Sequence, residues 1–119
     1  MFVKKVMDVT EFSARDATKL RELLHPNHDN LPIGYSIVHA RIEKGEASLP
    51  HRLKSSETYY ILSGKGTMHI EGEAKAISQA SVVFVPARAT QYVINTGDED
   101  LTFLCIVEPF WKEEEEDIL

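Results

Sequence analysis

His51 and Glu57 stand close together in a stretch rich in β-branched and aromatic residues, and Gln91 follows in a second such stretch. Along an extended strand successive side chains point to opposite faces, so His51 and Leu53 share a face while Arg52 takes the other. By the same rule Glu57, Tyr59 and Ile61 share a face, as do Gln91, Val93 and Asn95. If those faces line one small interior, an imidazole, a carboxylate and an amide oxygen project into it from adjoining strands, and the result can be a metal pocket. Tyr59 adds a phenol able to serve as a general acid or an anchor. Nearby residues have plainer readings. Ser55 and Ser56 lack a histidine base at any motif spacing, so a serine nucleophile is not expected. His69 has no partner at ligand spacing and reads as an outward strand residue, and Lys54 reads as a solvated loop lysine.

Positioning such side chains takes a run of short strands. From Gly34 onward, β-rich segments near 35–43, 48–53, 57–63, 66–72, 75–77, 81–85, 90–95 and 101–107 alternate with turn signals. Lys44-Gly45, Ser63-Gly64-Lys65-Gly66, Glu71-Gly72, Pro86 and Asn95-Thr96-Gly97-Asp98 supply the breaks, where glycine or asparagine takes positive φ and proline ends a ladder. Punctuation this dense leaves no room for a parallel α/β fold. Upstream, residues 2–9 read as a short edge strand guarded by lysines. Ser13 with Asp16 resembles a capping box, and Leu20, Leu23 and Leu24 fall at helical spacing, which predicts one amphipathic helix over about 14–25. Pro26–Pro32 is dense in turn formers and reads as a loop. The expected organisation is a single domain: an N-terminal strand, helix and loop over 1–33, a barrel over 34–108, and a solvated acidic tail over 109–119 with no catalytic role.

Gly45, His51, Leu53, Glu57 and Gly64 follow the spacing G-x5-H-x-L-x3-E-x6-G, which resembles the first motif of the cupin family, G-x5-H-x-H-x3–4-E-x6-G. Pro86, Gln91 and Asn95 resemble its second motif, with Ala80, Arg88 and Gln91 where that motif has two glycines and a histidine. The resemblance implies an all-β, antiparallel β-barrel or jelly roll, here with one short N-terminal helix. It also implies a divalent metal held by the histidines and glutamate of the motifs. Leu53 and Gln91 depart from that set: leucine cannot coordinate, and an amide oxygen is a weak neutral donor. His51, Glu57 and Gln91 suffice for a hexacoordinate ion such as manganese or iron(II), with His39 a candidate fourth ligand if its face is inward, and a closed four-ligand zinc site is not expected. The function so implied is a small metal-dependent cupin acting on a small polar metabolite, of isomerase, dioxygenase or lyase class, with Tyr59 a candidate proton donor. The alternative is a metal-free or weakly metallated module that binds a small ligand without catalysis.

Composition narrows the partners. The 119 residues carry a formal net charge of −6, which excludes recognition through many phosphates, so neither nucleic acid nor an anionic membrane is expected. The one cysteine, Cys105, lies in the apolar run Phe103–Val107, where it reads as a buried, inert thiol. No leader-like or membrane-spanning run is present, so a cytoplasmic location is expected. Phe110-Trp111 and Phe2-Val3 offer apolar surface for a homodimer.

Overall fold

The computed structural model describes residues 1–119. Eleven strands follow one another: β1 (Phe12–Ser13), β2 (Lys19–Leu24), β3 (Ser36–Ile42), β4 (His51–Leu53), β5 (Ser56–Ser63), β6 (Lys65–Ile70), β7 (Glu73–Ser78), β8 (Val82–Val85), β9 (Gln91–Asn95), β10 (Leu101–Glu108) and β11 (Glu116–Ile118). They form two antiparallel sheets, one in the order β1-β2-β3-β10-β5-β8 and the other β11-β4-β9-β6-β7. The sheets face each other, and the chain is the all-β jelly roll that the turn spacing requires. No helix is long and apolar enough to cross a membrane.

Alternation places the core. On β10, Leu101, Phe103, Cys105 and Val107 point inward, and on β5 Glu57, Tyr59 and Ile61 do the same. Register sets Phe103 opposite Ile61 and Cys105 opposite Tyr59, while β3 contributes Ala40 and Ile42 from the other side of β10. Met68 on β6, Ile77 on β7, Val85 on β8 and Val93 on β9 complete the apolar cluster. Glu57 therefore shares the inward face of β5 with two members of the apolar cluster, Tyr59 and Ile61.

All three motif residues with turn character do backbone work. Gly45 has φ +80° and Gly64 φ +91°, conformations that an L side chain adopts only with strain. Asn95, the last residue of the second motif, ties the 95–99 turn together: its amide donates to the carbonyls of Ile42 and Glu99, and its oxygen accepts from the Gly97 amide. It takes no part in the pocket chemistry.

The N-terminal third differs from expectation. The helix predicted over 14–25 is absent, and Lys19–Leu24 is strand β2, paired with β3. Ser13 and Asp16 form no capping box; the Asp16 Oδ1 accepts from the Thr18 amide at 3.1 Å and the Thr18 hydroxyl at 2.6 Å, closing a turn with Ala17 at φ +74°. That turn reverses the chain, and the register shift between Glu22 and Leu24 explains why three leucines at helical spacing fit a bulged strand. Tertiary pairing overrides a weak local preference. The strand expected over 2–9 is instead an irregular segment with a 3-10 turn at Val6–Asp8. The C-terminal tail is not a frayed run either: Glu113–Glu115 form a 3-10 turn, and β11 pairs with β4, setting Ile118 opposite His51.

The two motif glycines separate strain from clash. A Cβ at Gly45 meets open space, whereas at Gly64 it would lie 2.7 Å from the Asp100 carbonyl oxygen and 2.9 Å from the Leu101 Cα. Gly45→Ala should cost about 1–2 kcal/mol, the left-handed penalty alone. Gly64→Ala adds a backbone collision and should cost at least about 3 kcal/mol. Urea unfolding of both variants checks the order, and equal losses would count against it.

Candidate functional site

A cavity of about 220 Å³ opens between the sheets. Val38, Ala40, Val93, Phe103 and Val107 form its apolar walls, and Asp16, His51, Glu57 and Glu116 bring its charge. Each polar group arrives by a different route. His51 is inward on β4, Glu57 and Tyr59 are inward on β5, Asp16 comes from the β1–β2 turn, and Glu116 starts β11.

His51 is 2% exposed and held by one strong contact: Nδ1 lies 2.6 Å from the Leu49 carbonyl oxygen. A carbonyl only accepts, so Nδ1 carries the proton and Nε2 of the neutral ring presents its lone pair. Nε2 makes no hydrogen bond and faces Asp16 Oδ2 at 3.6 Å. A ring so held leaves Nε2 available to a ligand or an ion in the cavity.

Gln91 is buried opposite His51 in the β4–β9 register, and both polar atoms of its amide make hydrogen bonds. Its Nε2 donates to Glu57 Oε1 at 2.9 Å, and its Oε1 accepts from the Tyr59 hydroxyl. Tyr59 lines the cavity, but its proton is directed at Gln91, and burial pushes its pKa well above the ordinary phenol value. Burial likewise pushes the Glu57 carboxyl up, against the opposing pull of His51 and of the bonds from Cys105 and Gln91. Glu116 is raised in the same direction by burial and then by the neighbouring Asp16 charge. The Cys105 thiol is pushed well above its usual range by burial and then by Glu57, so it is an inert wall residue.

The four-ligand set implied by the motif resemblance does not fit these positions. Leu53 is a buried alkyl group and the Gln91 oxygen is already shared with Tyr59. His39 does not join either. Ser36, Val38 and Ala40 are the β3 residues on the cavity wall, and His39 lies on the opposite face, opposite Arg21 and Leu104. There it is partly buried with Nδ1 unpaired, and burial lowers its pKa.

The structure instead brings together residues that sequence reasoning passed over. Donor atoms of Asp16, His51 and Glu116 all lie within 4.8 Å of one another. The sequence reading makes Asp16 the capping-box partner of Ser13 in a helix and Glu116 part of a solvated tail. Asp16-Ala17-Thr18 is equally the sequence of an Asx turn, and that signal was available. Nothing in a run of glutamates marks the one that folds inward. Glu22, His25 and His28 form a second such group, but hydrogen bonds account for it. His25 Nε2 donates to the Trp111 carbonyl, its Nδ1 accepts from the Asn27 and His28 amides, and His28 Nδ1 pairs with Glu22.

The family model described as the cupin domain matches residues 38–107. An uncharacterized protein of Methanocaldococcus jannaschii, MJ1618, is 30% identical over 112 residues, covering 93% of this chain and 89% of the relative. An oxalate-binding protein of Thermotoga maritima is 37% identical over 51 residues, 43% of this chain and 42% of that protein. Among solved structures, a predicted oxalate decarboxylase from T. maritima superposes with a TM-score of 0.80 at 22% identity, covering 91% of this chain and 99% of the other. The polyketide cyclase RemF from Streptomyces resistomycificus gives 0.78 at 15%, covering 97% and 89%. At these identities the structural likeness carries the fold.

The buried carboxyl makes a prediction about pH. Because the Glu57 pKa is raised on folding, its contribution to stability is fully present below the ordinary carboxylate range and is lost as pH rises through the folded value. Glu57→Gln removes that loss. In chelator-treated protein, the melting temperature of the variant should gain on wild type as the pH rises from about 4 to about 8. A difference that stays flat with pH would show that burial does not raise this carboxyl.

Proposed function

The chain belongs to the cupin family, and on that premise we propose that it is a metal-dependent cupin acting on a small polar metabolite inside the barrel. One observation carries this reading: a buried imidazole, fixed through Nδ1 by the Leu49 carbonyl, presents an unpartnered Nε2 to a cavity that also holds carboxylates. A divalent cation at His51, of the manganese or iron(II) kind, would supply Lewis-acid or oxygen-activating chemistry. The chain's own groups do the rest. Val38, Val93, Phe103 and Val107 take the carbon skeleton of a ligand and exclude water. Glu57, its carboxyl pushed up by burial, lies beside them, and Gln91, anchored in turn by Tyr59, fixes that carboxyl in place. The acid–base role therefore falls to Glu57, with Tyr59 acting through Gln91 as a positioning residue.

Charge constrains the substrate. With Asp16, Glu57 and Glu116 around the cavity, a dicarboxylate of the kind that the Thermotoga relative is named for would be repelled unless a cation is bound. Binding of such an anion should therefore depend on metal. A metal-free ligand-binding module is the second reading, favoured by Leu53 and the committed Gln91 amide.

Elemental analysis of tag-free protein purified without chelators tests the first reading. Near-stoichiometric metal is expected, falling at least about tenfold in His51→Ala. Wild type that stays metal-free after dialysis against manganese, iron(II), nickel or zinc would favour the second.

The reading includes a homodimer, and the structure offers a second apolar face for it. Of the residues anticipated for it, Phe2 and Val3 are 44% and 78% exposed, while Trp111 lines the cavity and Phe110 packs edge-on against His25. Val82 and Phe84 on the sheet-edge strand β8 are 66% and 61% exposed, and Tyr60, opposite Val82, continues the apolar face with Ile106. A second copy covering this face removes it from water. Light scattering should give a dimer at micromolar concentration and a monomer for Phe84→Asp, and monomeric wild type would end the idea.

A further inference from the structure

We propose that Asp16, His51 and Glu116 form a divalent-cation site in which the two terminal segments, not the barrel strands, supply the carboxylates. This rests on the metal-dependent reading above and replaces the ligand set that the motif positions imply.

The donor geometry comes first. For metal–ligand bonds of roughly 2.0–2.2 Å, adjacent donors around a six-coordinate ion sit about 3 Å apart and opposed donors about 4 Å apart. The three side chains already place their donor atoms within 4.8 Å of one another, so small rotations close the set. His51 is the fixed member, buried, oriented by the Leu49 carbonyl, and without a hydrogen-bond partner at Nε2.

Asp16 divides its oxygens. Oδ1 is committed to the Thr18 amide and hydroxyl, and Oδ2 faces the imidazole. The Asx turn thus acts as the outer shell for a carboxylate ligand, as the Leu49 carbonyl does for the histidine. Its backbone is anchored as well, since the Leu49 amide donates to the Asp16 carbonyl at 2.7 Å. One short segment, Leu49–His51, therefore holds both ligands.

Glu116 is delivered by β11. The Lys54 amide donates to the Glu115 carbonyl, and Leu53 lies opposite Glu116 in the β4–β11 register. The cation nearest by, Arg15, spends its guanidinium on the Glu113 and Glu116 backbone carbonyls at 3.3 and 3.5 Å, not on the carboxylates. The site thus holds two acidic side chains and a lone pair, and Arg15, though its charge is felt at Glu116, makes its hydrogen bonds to backbone carbonyls. One imidazole nitrogen and two carboxylate oxygens suit manganese(II) or iron(II) and leave positions open to the cavity.

The site differs from the motif set in a way that can be measured. Glu57 is tied to Gln91 and is not a ligand here. Chelator-stripped wild type titrated with manganese(II), with free ion followed by electron paramagnetic resonance, should bind one equivalent. Asp16→Asn keeps an oxygen for the Thr18 bonds, and Glu116→Gln keeps the side-chain shape, so both should fold with wild-type melting curves. Each should weaken manganese binding by at least about tenfold, and Glu57→Gln by no more than about threefold. Manganese protection of the β11 amides from hydrogen exchange, lost in Asp16→Asn, is the second expected readout. Wild-type affinity in both Asp16→Asn and Glu116→Gln, with binding lost in Glu57→Gln, would overturn this ligand set while leaving the metal-dependent reading intact. Failure of wild type to bind any divalent ion would overturn both.

Discussion

Burying carboxylates between two apolar sheets is costly, and the architecture around the cavity is shaped by how that cost is met. Glu57 receives the Gln91 amide, and Asp16 receives the Thr18 amide and hydroxyl. His51 contributes the one ring that can take up positive charge or lend a lone pair, and the Leu49 carbonyl decides which nitrogen does so. If the Nδ1 bond were lost, the ring could rotate and the remaining groups would face each other as like charges. The short contact to a backbone oxygen is thus the point on which the polar groups of the cavity depend.

The two departures from the family motif belong together. Leucine at position 53 removes an imidazole and fills its place with an alkyl group packed against the core. Glutamine at position 91 then finds no metal-facing neighbour and instead bridges Tyr59 and Glu57, satisfying a phenol, an amide and a carboxyl in one buried chain. A polar network of this kind is stable only when every member is paired, and here every member is. The histidine that remains lies between Gln91 of β9 on one side and Ile118 of β11 on the other.

Strand parity made much of this legible. Within 34–108 the sequence marks each barrel strand to within a few residues, because turns with glycine and asparagine bound runs of period two, and the same parity places His51, Glu57, Tyr59 and Gln91 inward. Parity is silent where both faces are mixed, as at His39, whose facing follows from which side of β3 packs on the cavity. It is also silent at the ends. Lys19–Leu24 is half-buried along its whole length, with no dry face to give a clear period, so the leucines mimic a helix. Glu116 sits in a run of like residues and acquires its role only from pairing with a strand more than half the chain away.

That last pairing has a consequence for solubility. Strand β4 would otherwise be the open border of its sheet, a ladder of free amides and carbonyls available to any passing strand. With β11 laid along it, the new border carries Asp117 outward beside a run of glutamates, and Arg52 pairs with that aspartate across the junction. A second molecule approaching edge-on meets negative charge instead of bare backbone. The same acidic segment that turns one glutamate toward the cavity therefore keeps neighbouring molecules from extending the sheet.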